Sequence, residues 1–185
     1  MKKVFSQMDR RTFVLSTVGT LTLAGCREDP ASALHGQHLA SVPASLVDGT
    51  GINLASLGRP SVLRFWGLWC GPCRIDEPHW DEAVRDLRPL QGQQPRFDLM
   101  SVHTGLPPRD GPSLAEWAAQ RPADVAIPIV DDRTQRLTQS IGVPGTPLTL
   151  LVDATGQIVD HAWAFKSARG AARFVGKVRK LVGSA

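Results

Sequence analysis

Two cysteines separated by two residues, Cys70 and Cys73, are the feature of this sequence that most directly indicates chemistry. Thiols at this spacing can close a small disulfide, and Pro72 between them presets the backbone φ of a following helix. Cys70 then lies just before the first helical turn, where unpaired N–H groups and the helix dipole favour a thiolate. Such placement lowers a cysteine pKa from about 8.5 into a range of roughly 3.5 to 7.5. The spacing therefore predicts Cys70 as a nucleophile and the more buried Cys73 as the thiol that resolves a mixed disulfide.

Metal binding is the competing interpretation, because two thiolates at this spacing also form half of a zinc site. A structural zinc site needs four ligands, and no second cysteine pair or His-x3-5-His pattern follows in the sequence. We therefore expect redox chemistry that needs no cofactor.

The chain that must position these thiols has 185 residues, enough for one domain plus appendages. Its 42% apolar content supports a hydrophobic core. Most of the formal net charge of +4 comes from residues 1–25, so the remainder is near neutral. No basic patch is interleaved with aromatic residues, which argues against a nucleic-acid partner.

Residues 1–25 are predicted to be an export signal, with a basic start and an apolar run too short for the roughly 20 residues of a spanning helix. Arg10 and Arg11 resemble a twin-arginine motif, although an ordinary basic start is the alternative. The segment 23–26 resembles a bacterial lipobox, in which Cys26 would carry lipid and anchor the chain to a membrane. An incidental buried cysteine is the alternative. Lipidation would leave Cys70 and Cys73 as the only free thiols, as suits an oxidising compartment.

Residues 26–41 are predicted to be a flexible tether, since they are poor in apolar side chains and carry Gly, Pro, Ser and Gln. His35 and His38 lie within this segment and could bind a metal weakly. Two ligands do not make a site, so a solvated linker is favoured.

The folded domain is expected over residues 42–185. A turn at Asp48 and Gly49 separates two short strands, and strands then alternate with helices. The predicted strands are 61–68, 96–103, 127–130, 148–152 and 157–165, and the predicted helices are 72–87, 113–120, 133–141 and 168–182. This order predicts an α/β fold with a mixed central sheet, helices on both faces and an N-terminal β extension.

The segment Trp69-Cys70-Gly71-Pro72-Cys73 resembles the active site of the thioredoxin superfamily, and the resemblance continues from residue 42 onward. The β extension, the export signal and Asp76 narrow it to membrane-tethered thiol–disulfide oxidoreductases of the TlpA/ResA type. Such proteins act outside the cytoplasm, usually reducing disulfides in apocytochrome c or in copper-site proteins of oxidases. The resemblance implies disulfide-containing envelope proteins as partners and an upstream membrane thiol reductase as the electron donor.

The resemblance also assigns roles to individual residues. It implies a cis peptide at Thr146-Pro147 beside the disulfide, with a trans turn proline as the alternative, and a Thr146 backbone that pairs with an extended substrate. The residues implied to be catalytic are Cys70, Cys73, Asp76 and Pro147, and those implied to contact substrate are Trp69, Gly71, Pro72 and Thr146.

Two other functions remain open, and the direction of the reaction is a separate question. The same thiolates could hold Cu(I) together with His79 or His103, as in a copper chaperone. A thiol peroxidase is a weaker option. For disulfide exchange, the Gly-Pro dipeptide resembles thioredoxin, at roughly −270 mV, more than the oxidant DsbA, at roughly −120 mV. We therefore expect reduction of partners.

Arg64 stands where thioredoxin has a buried acid in the matching strand. Alternation along the strand predicts that its side chain points toward the helix that carries Cys73. A buried guanidinium needs a partner, and Asp76 is the first choice and Glu77 the second. We expect Arg64 to keep Asp76 ionised, so that Asp76 cannot readily accept the Cys73 proton, and to stabilise a Cys73 thiolate instead. The alternative is that Arg64 reaches the sheet edge and touches neither carboxylate.

Overall fold

A computed structural model describes residues 29–88 and 96–183. Arg10, Arg11 and Cys26 lie outside the described residues. Along the chain the elements are β1 (Pro43–Ser45), β2 (Gly51–Asn53), β3 (Ser61–Trp66), α1 (Gly71–Leu87), β4 (Asp98–Thr104), α2 (Leu114–Ala119), β5 (Ile129–Asp132), α3 (Arg136–Ile141), β6 (Leu148–Val152), β7 (Ile158–Trp163) and α4 (Ala168–Gly183), with short 3-10 helices at Pro30–Leu34 and Leu54–Ser56.

The centre of the domain is a five-stranded sheet in the order β5-β4-β3-β6-β7. The pairs β3–β4 and β4–β5 are parallel, whereas β6 runs antiparallel to both β3 and β7. Every residue of β3 is buried, as expected for a central strand covered on both faces. Leu63 packs with Leu137 of α3, whereas Val62 packs with Trp80 of α1 and Phe174 of α4. The predicted mixed sheet with helices on both faces is confirmed.

The predicted N-terminal β extension is also confirmed. Strands β1 and β2 form an antiparallel pair, and Leu46 just after β1 makes a bridge with Val130 of β5. The backbone N–H of Val47 donates to the Ile129 carbonyl at 2.9 Å. The extension therefore continues the sheet at its β5 edge.

The prediction of a flexible tether is wrong from residue 29 onward. The Asp29 carboxylate accepts the Ala31 N–H at 2.9 Å and caps the 3-10 helix Pro30–Leu34. Ala31, Leu34 and Leu39 are buried in the same apolar cluster as α3 and the sheet. The average composition of the segment is polar, but these few apolar side chains are spaced so that each enters the core, which ties the segment down.

Helix α3 begins three residues later than residue 133, where the sequence predicts its start. Both oxygens of the Asp132 carboxylate accept backbone N–H groups, from Leu137 at 3.1 Å and from Thr138 at 2.8 Å. These bonds satisfy N–H groups at the start of α3 that have no partner inside the helix. Within the described ranges, no helix is both long enough and apolar enough to cross a membrane.

Candidate active site

The two cysteines lie at the junction between β3 and α1. Cys70 is the N-cap residue of α1, and its Sγ accepts the backbone N–H of Cys73 at 3.2 Å. Cys70 and Cys73 form a disulfide, and both are buried. Pro72 occupies the first turn, where its missing N–H has no cost. The predicted pairing and the predicted helix start are confirmed.

The loop before β6 lies against the disulfide. The Thr146-Pro147 peptide is cis, as the resemblance implied. The Thr146 hydroxyl lies 3.4 Å from the Cys70 Sγ. The structure therefore brings Thr146, the residue before the cis proline, to the same sulfur that the sequence predicts as the nucleophile.

Trp69 marks the exposed rim of the site. Its side chain is 48% exposed, and its indole N–H donates to the Thr104 carbonyl at 2.7 Å. A Cβ on Gly67 would lie 2.4 Å from the indole nitrogen, so only glycine leaves room for the ring in this position. This role of Gly67 could not be predicted from the sequence. A glycine two residues before an aromatic side chain is too common a pattern to reveal it.

Arg64 is buried, with 1% of its surface exposed, and pairs with both predicted partners. Its guanidinium lies 3.1 Å from an Asp76 oxygen and 2.8 Å from a Glu77 oxygen. It also donates to the Cys73 carbonyl at a longer 3.4 Å. The prediction that Arg64 faces α1 is confirmed, and the alternative of an arginine at the sheet edge is wrong.

Asp76 lies one turn after Cys73 on α1 and is also buried, with its side chain 3% exposed. Its carboxylate accepts the Arg64 guanidinium and the backbone N–H of Phe165. Burial raises the pKa of Asp76 above its usual range, although the charge of Arg64 acts in the opposite direction. Desolvation therefore opposes the stabilisation of the ionised form by Arg64, and a carboxyl with a raised pKa is a better proton acceptor.

The ion pairs continue away from the disulfide. Glu77 also pairs with Arg121 at 3.1 Å, and Arg121 in turn pairs with Asp81. The Arg121 guanidinium lies 4.9 Å from the centre of the Trp117 ring. Arg121 could not be predicted from the sequence, because nothing local to it in the sequence shows that its partners lie on α1.

His103, one of the two histidines considered for copper, is fully buried beside the motif. Its Nε2 accepts the Leu68 N–H at 3.1 Å, and burial lowers its pKa. His79 instead lies 3.9 Å from Glu82 on the surface of α1. In residues 29–88 and 96–183, no histidine or carboxylate forms a three-ligand group with Cys70 and Cys73. The geometry thus gives the copper interpretation no support.

A cavity of about 490 Å³ opens beside the buried cysteine. Cys73, Leu68, Pro108, Pro112 and Trp117 are among the residues that line it. Ile75 on the first turns of α1 is 80% exposed, and Leu106 after β4 is 69% exposed. The surroundings of the disulfide are therefore apolar and accessible, as a site that receives a polypeptide requires.

No protein-family model matches the chain. In sequence the chain is similar to the thiol-disulfide oxidoreductase ResA of Geobacillus thermodenitrificans, with 31% identity over 101 residues, which is 55% of this chain and 52% of that protein. The chain thus spans about half the length of the Geobacillus relatives that it matches. ResA of Halalkalibacterium halodurans is 27% identical over 135 residues, which cover 71% of this chain and 69% of that protein.

Solved structures show the same fold. StoA from Bacillus subtilis superposes with a TM-score of 0.55 at 18% identity, covering 75% of this chain and 96% of that one. An exposed lipoprotein thioredoxin from Streptococcus pneumoniae superposes with a TM-score of 0.53 at 20% identity, covering 75% and 99%. The chain therefore has a thioredoxin-like fold, and in sequence it is similar to ResA-type thiol–disulfide oxidoreductases.

Proposed function

We propose that this chain is a thiol–disulfide oxidoreductase that reduces disulfides in partner proteins outside the cytoplasm. The observation that carries the proposal is the Cys70–Cys73 disulfide at the start of α1, in contact with the Thr146 hydroxyl. The ResA relatives support the same chemistry.

The reaction begins from the dithiol form. The Cys70 thiolate attacks one sulfur of the partner disulfide, that S–S bond breaks, and a mixed disulfide forms while the departing partner thiolate takes a proton from solvent. Cys73 then loses its proton and attacks the Cys70 sulfur. This step releases the second partner thiol and closes the Cys70–Cys73 disulfide. Two electrons pass to the partner. An upstream thiol reductase must then reduce the Cys70–Cys73 disulfide with two further electrons before another turnover.

The two cysteines receive different support. The Cys73 N–H points at the Cys70 sulfur, and the N-terminus of α1 adds its positive dipole end, so both favour a thiolate on Cys70. Asp76 lies one turn from Cys73 with a raised pKa, which suits it to accept the Cys73 proton. Attack and resolution thus depend on separate groups.

The partner is proposed to be a protein whose disulfide lies in an extended segment. The Thr146 backbone offers strand-like pairing, and the apolar rim at Trp69 and Ile75 offers contact for side chains. By resemblance to the family, apocytochrome c and copper-site proteins of oxidases are the partners to test first.

The location is a proposal that rests on the sequence. Arg10 and Arg11 would direct twin-arginine export, and a lipidated Cys26 would hold the chain at the membrane. Mass spectrometry of the membrane fraction should show a mature chain that begins at an acylated Cys26. An unacylated N-terminus before this residue would contradict the anchor, and unchanged export of a chain with lysines at both arginine positions would contradict the twin-arginine route.

Reduction of insulin by a dithiol donor tests the activity. The wild-type chain should accelerate it, Cys70→Ser should abolish the acceleration, and Cys26→Ser should leave it unchanged as the matched control. The reduction potential tests the direction. We expect a value close to that of thioredoxin, roughly −270 mV, and a potential above about −150 mV would contradict a reductant.

A further inference from the structure

We propose that His35, His161 and Asp160 form a binding site for a divalent transition-metal ion of the zinc type, remote from the disulfide in sequence and separate from its chemistry. Each of the three offers one ligand atom, and these atoms all lie within 4.8 Å of one another. This is the one group of three or more histidine, cysteine or carboxylate ligands that residues 29–88 and 96–183 contain.

The two imidazoles face each other through their nitrogens. The Nε2 of His35 lies 2.7 Å from the Nδ1 of His161. Two zinc–nitrogen bonds of about 2.0–2.1 Å at a tetrahedral angle would separate the nitrogens by about 3.3 Å. The two nitrogens would have to move apart by about 0.6 Å. A small rotation of the exposed His35 side chain can produce this movement. The two imidazoles therefore need little rearrangement to accept an ion between them.

Asp29 prepares His161 to be a ligand. Its carboxylate lies 2.9 Å from the Nε2 of His161 and also accepts the Trp163 indole N–H. A carboxylate at Nε2 fixes the proton there and leaves the Nδ1 lone pair directed at His35. This carboxylate–histidine arrangement is the one that orients histidine ligands in metal sites.

Asp160 supplies the third ligand from the same edge strand, β7. Its oxygens lie 2.8 and 3.0 Å from the Lys177 ammonium. A carboxylate has about four lone-pair positions, so it can bind an ion and keep a hydrogen bond from the lysine. The positive charge of Lys177 nevertheless opposes a cation at the site. Two neutral imidazoles and one carboxylate are a ligand set that suits zinc, with one position left for water.

Binding of the ion would restrain the N-terminal segment of the domain. His35 follows the 3-10 helix Pro30–Leu34, whereas Asp160 and His161 belong to the sheet, so an ion would fasten the N-terminal segment to β7. In the proposed lipoprotein, Cys26 lies three residues before Asp29 in the sequence. The ion would then hold the N-terminal end of the domain against β7, close in sequence to the proposed lipid on Cys26.

Isothermal titration with Zn²⁺ tests the site on the full chain without a polyhistidine tag. Every sample keeps the Cys70–Cys73 disulfide oxidised and carries Cys26→Ser, so that no thiol competes. We expect one zinc ion per chain and at least tenfold weaker binding for His35→Ala and for His161→Ala. Asp29→Asn should weaken binding about 10- to 100-fold, as loss of a carboxylate behind a histidine ligand does elsewhere.

Two variants separate a site from general surface binding. His38→Ala removes a neighbouring exposed histidine and should leave the affinity within twofold. Lys177→Gln removes the opposing charge and should strengthen binding. Zinc should also slow hydrogen exchange in residues 29–39 of the Cys26→Ser reference chain but not of the chain that also carries His35→Ala. Absence of zinc binding by the reference chain, or equal binding by His35→Ala and His38→Ala, would overturn the proposal and leave a plain hydrogen bond between two imidazoles.

Discussion

Replacement of Arg64 by leucine tests how the buried ion pair supports the second step of the reaction. The substitution leaves Asp76, with its side chain 3% exposed, without its charged partner. Breaking a buried pair by removing one member costs about 3–5 kcal/mol, which is a large part of a typical stability of about 5–15 kcal/mol. We therefore expect Arg64→Leu to be folded but markedly less stable. Arg64→Leu combined with Asp76→Leu should recover much of the loss, because neither member of the buried pair is left without its partner.

The kinetic effect should be confined to Cys73. Loss of the Arg64 charge removes a favourable interaction with a Cys73 thiolate and raises the pKa of that thiol. Each unit of increase lowers the thiolate fraction tenfold, and the higher intrinsic nucleophilicity recovers roughly threefold. Resolution of the mixed disulfide should therefore slow by about threefold per pKa unit. Attack by Cys70 should change less than twofold, since its sulfur is supported by the N-terminus of α1.

Stopped-flow kinetics with a fluorescent disulfide peptide resolve the two steps, and a pH titration of thiol reactivity gives the Cys73 pKa. Arg121→Leu is the matched control, because it removes a largely buried arginine from the same ion-pair network that contacts Glu77 and Asp81 but not Asp76. A resolving rate and a Cys73 titration that are the same in wild type and Arg64→Leu would show that Arg64 does not stabilise the Cys73 thiolate.

Three further predictions concern stability and the rim of the site. Because burial raises the pKa of Asp76, its protonated form is favoured by folding, so the contribution to stability is full below about pH 4 and is lost as pH rises through the folded-state pKa. Urea unfolding of the oxidised chain should show this decline, and Asp76→Asn should lack it; parallel pH profiles would argue against a raised pKa. Gly67→Ala should displace Trp69 from its 2.7 Å hydrogen bond and raise KM for a protein disulfide several-fold with little change in Tm. An unchanged KM would show that the rim at Trp69 does not contribute to substrate binding. Leu34→Ala should lower the free energy of unfolding by about 2–5 kcal/mol. An effect close to zero would mean that the N-terminal segment is a flexible tether after all.

The partners of Arg64 could be predicted from two local periodicities, that of the strand and that of the helix. Alternation along β3 directs Arg64 to the face covered by α1, and helical spacing places Asp76 and Glu77 one turn after Cys73. Neither inference needs tertiary information. The shift in the Asp76 pKa could not be predicted in the same way, because its sign depends on how completely Phe165 and the sheet exclude water from the carboxylate.

Other features depended on contacts between elements that are distant in sequence. Arg121 follows α2, and its partners lie on α1, so nothing local to it in the sequence indicates the pair. The N-terminal segment has a tether's composition, and only the core shows that Ala31 and Leu34 have pockets to fill. His35 meets His161 for the same reason, since packing of that segment brings together residues that are 126 positions apart.

In the proposed reaction Cys70 attacks a partner disulfide and Cys73 resolves the product, and trapping the mixed disulfide is the decisive test of this order. A Cys73→Ser chain should form a stable mixed disulfide with a disulfide-containing peptide, and peptide mapping by mass spectrometry should place it on Cys70. A Cys70→Ser chain treated in the same way should accumulate far less adduct. Formation of the adduct on another residue, or equal accumulation by the two variants, would contradict the account.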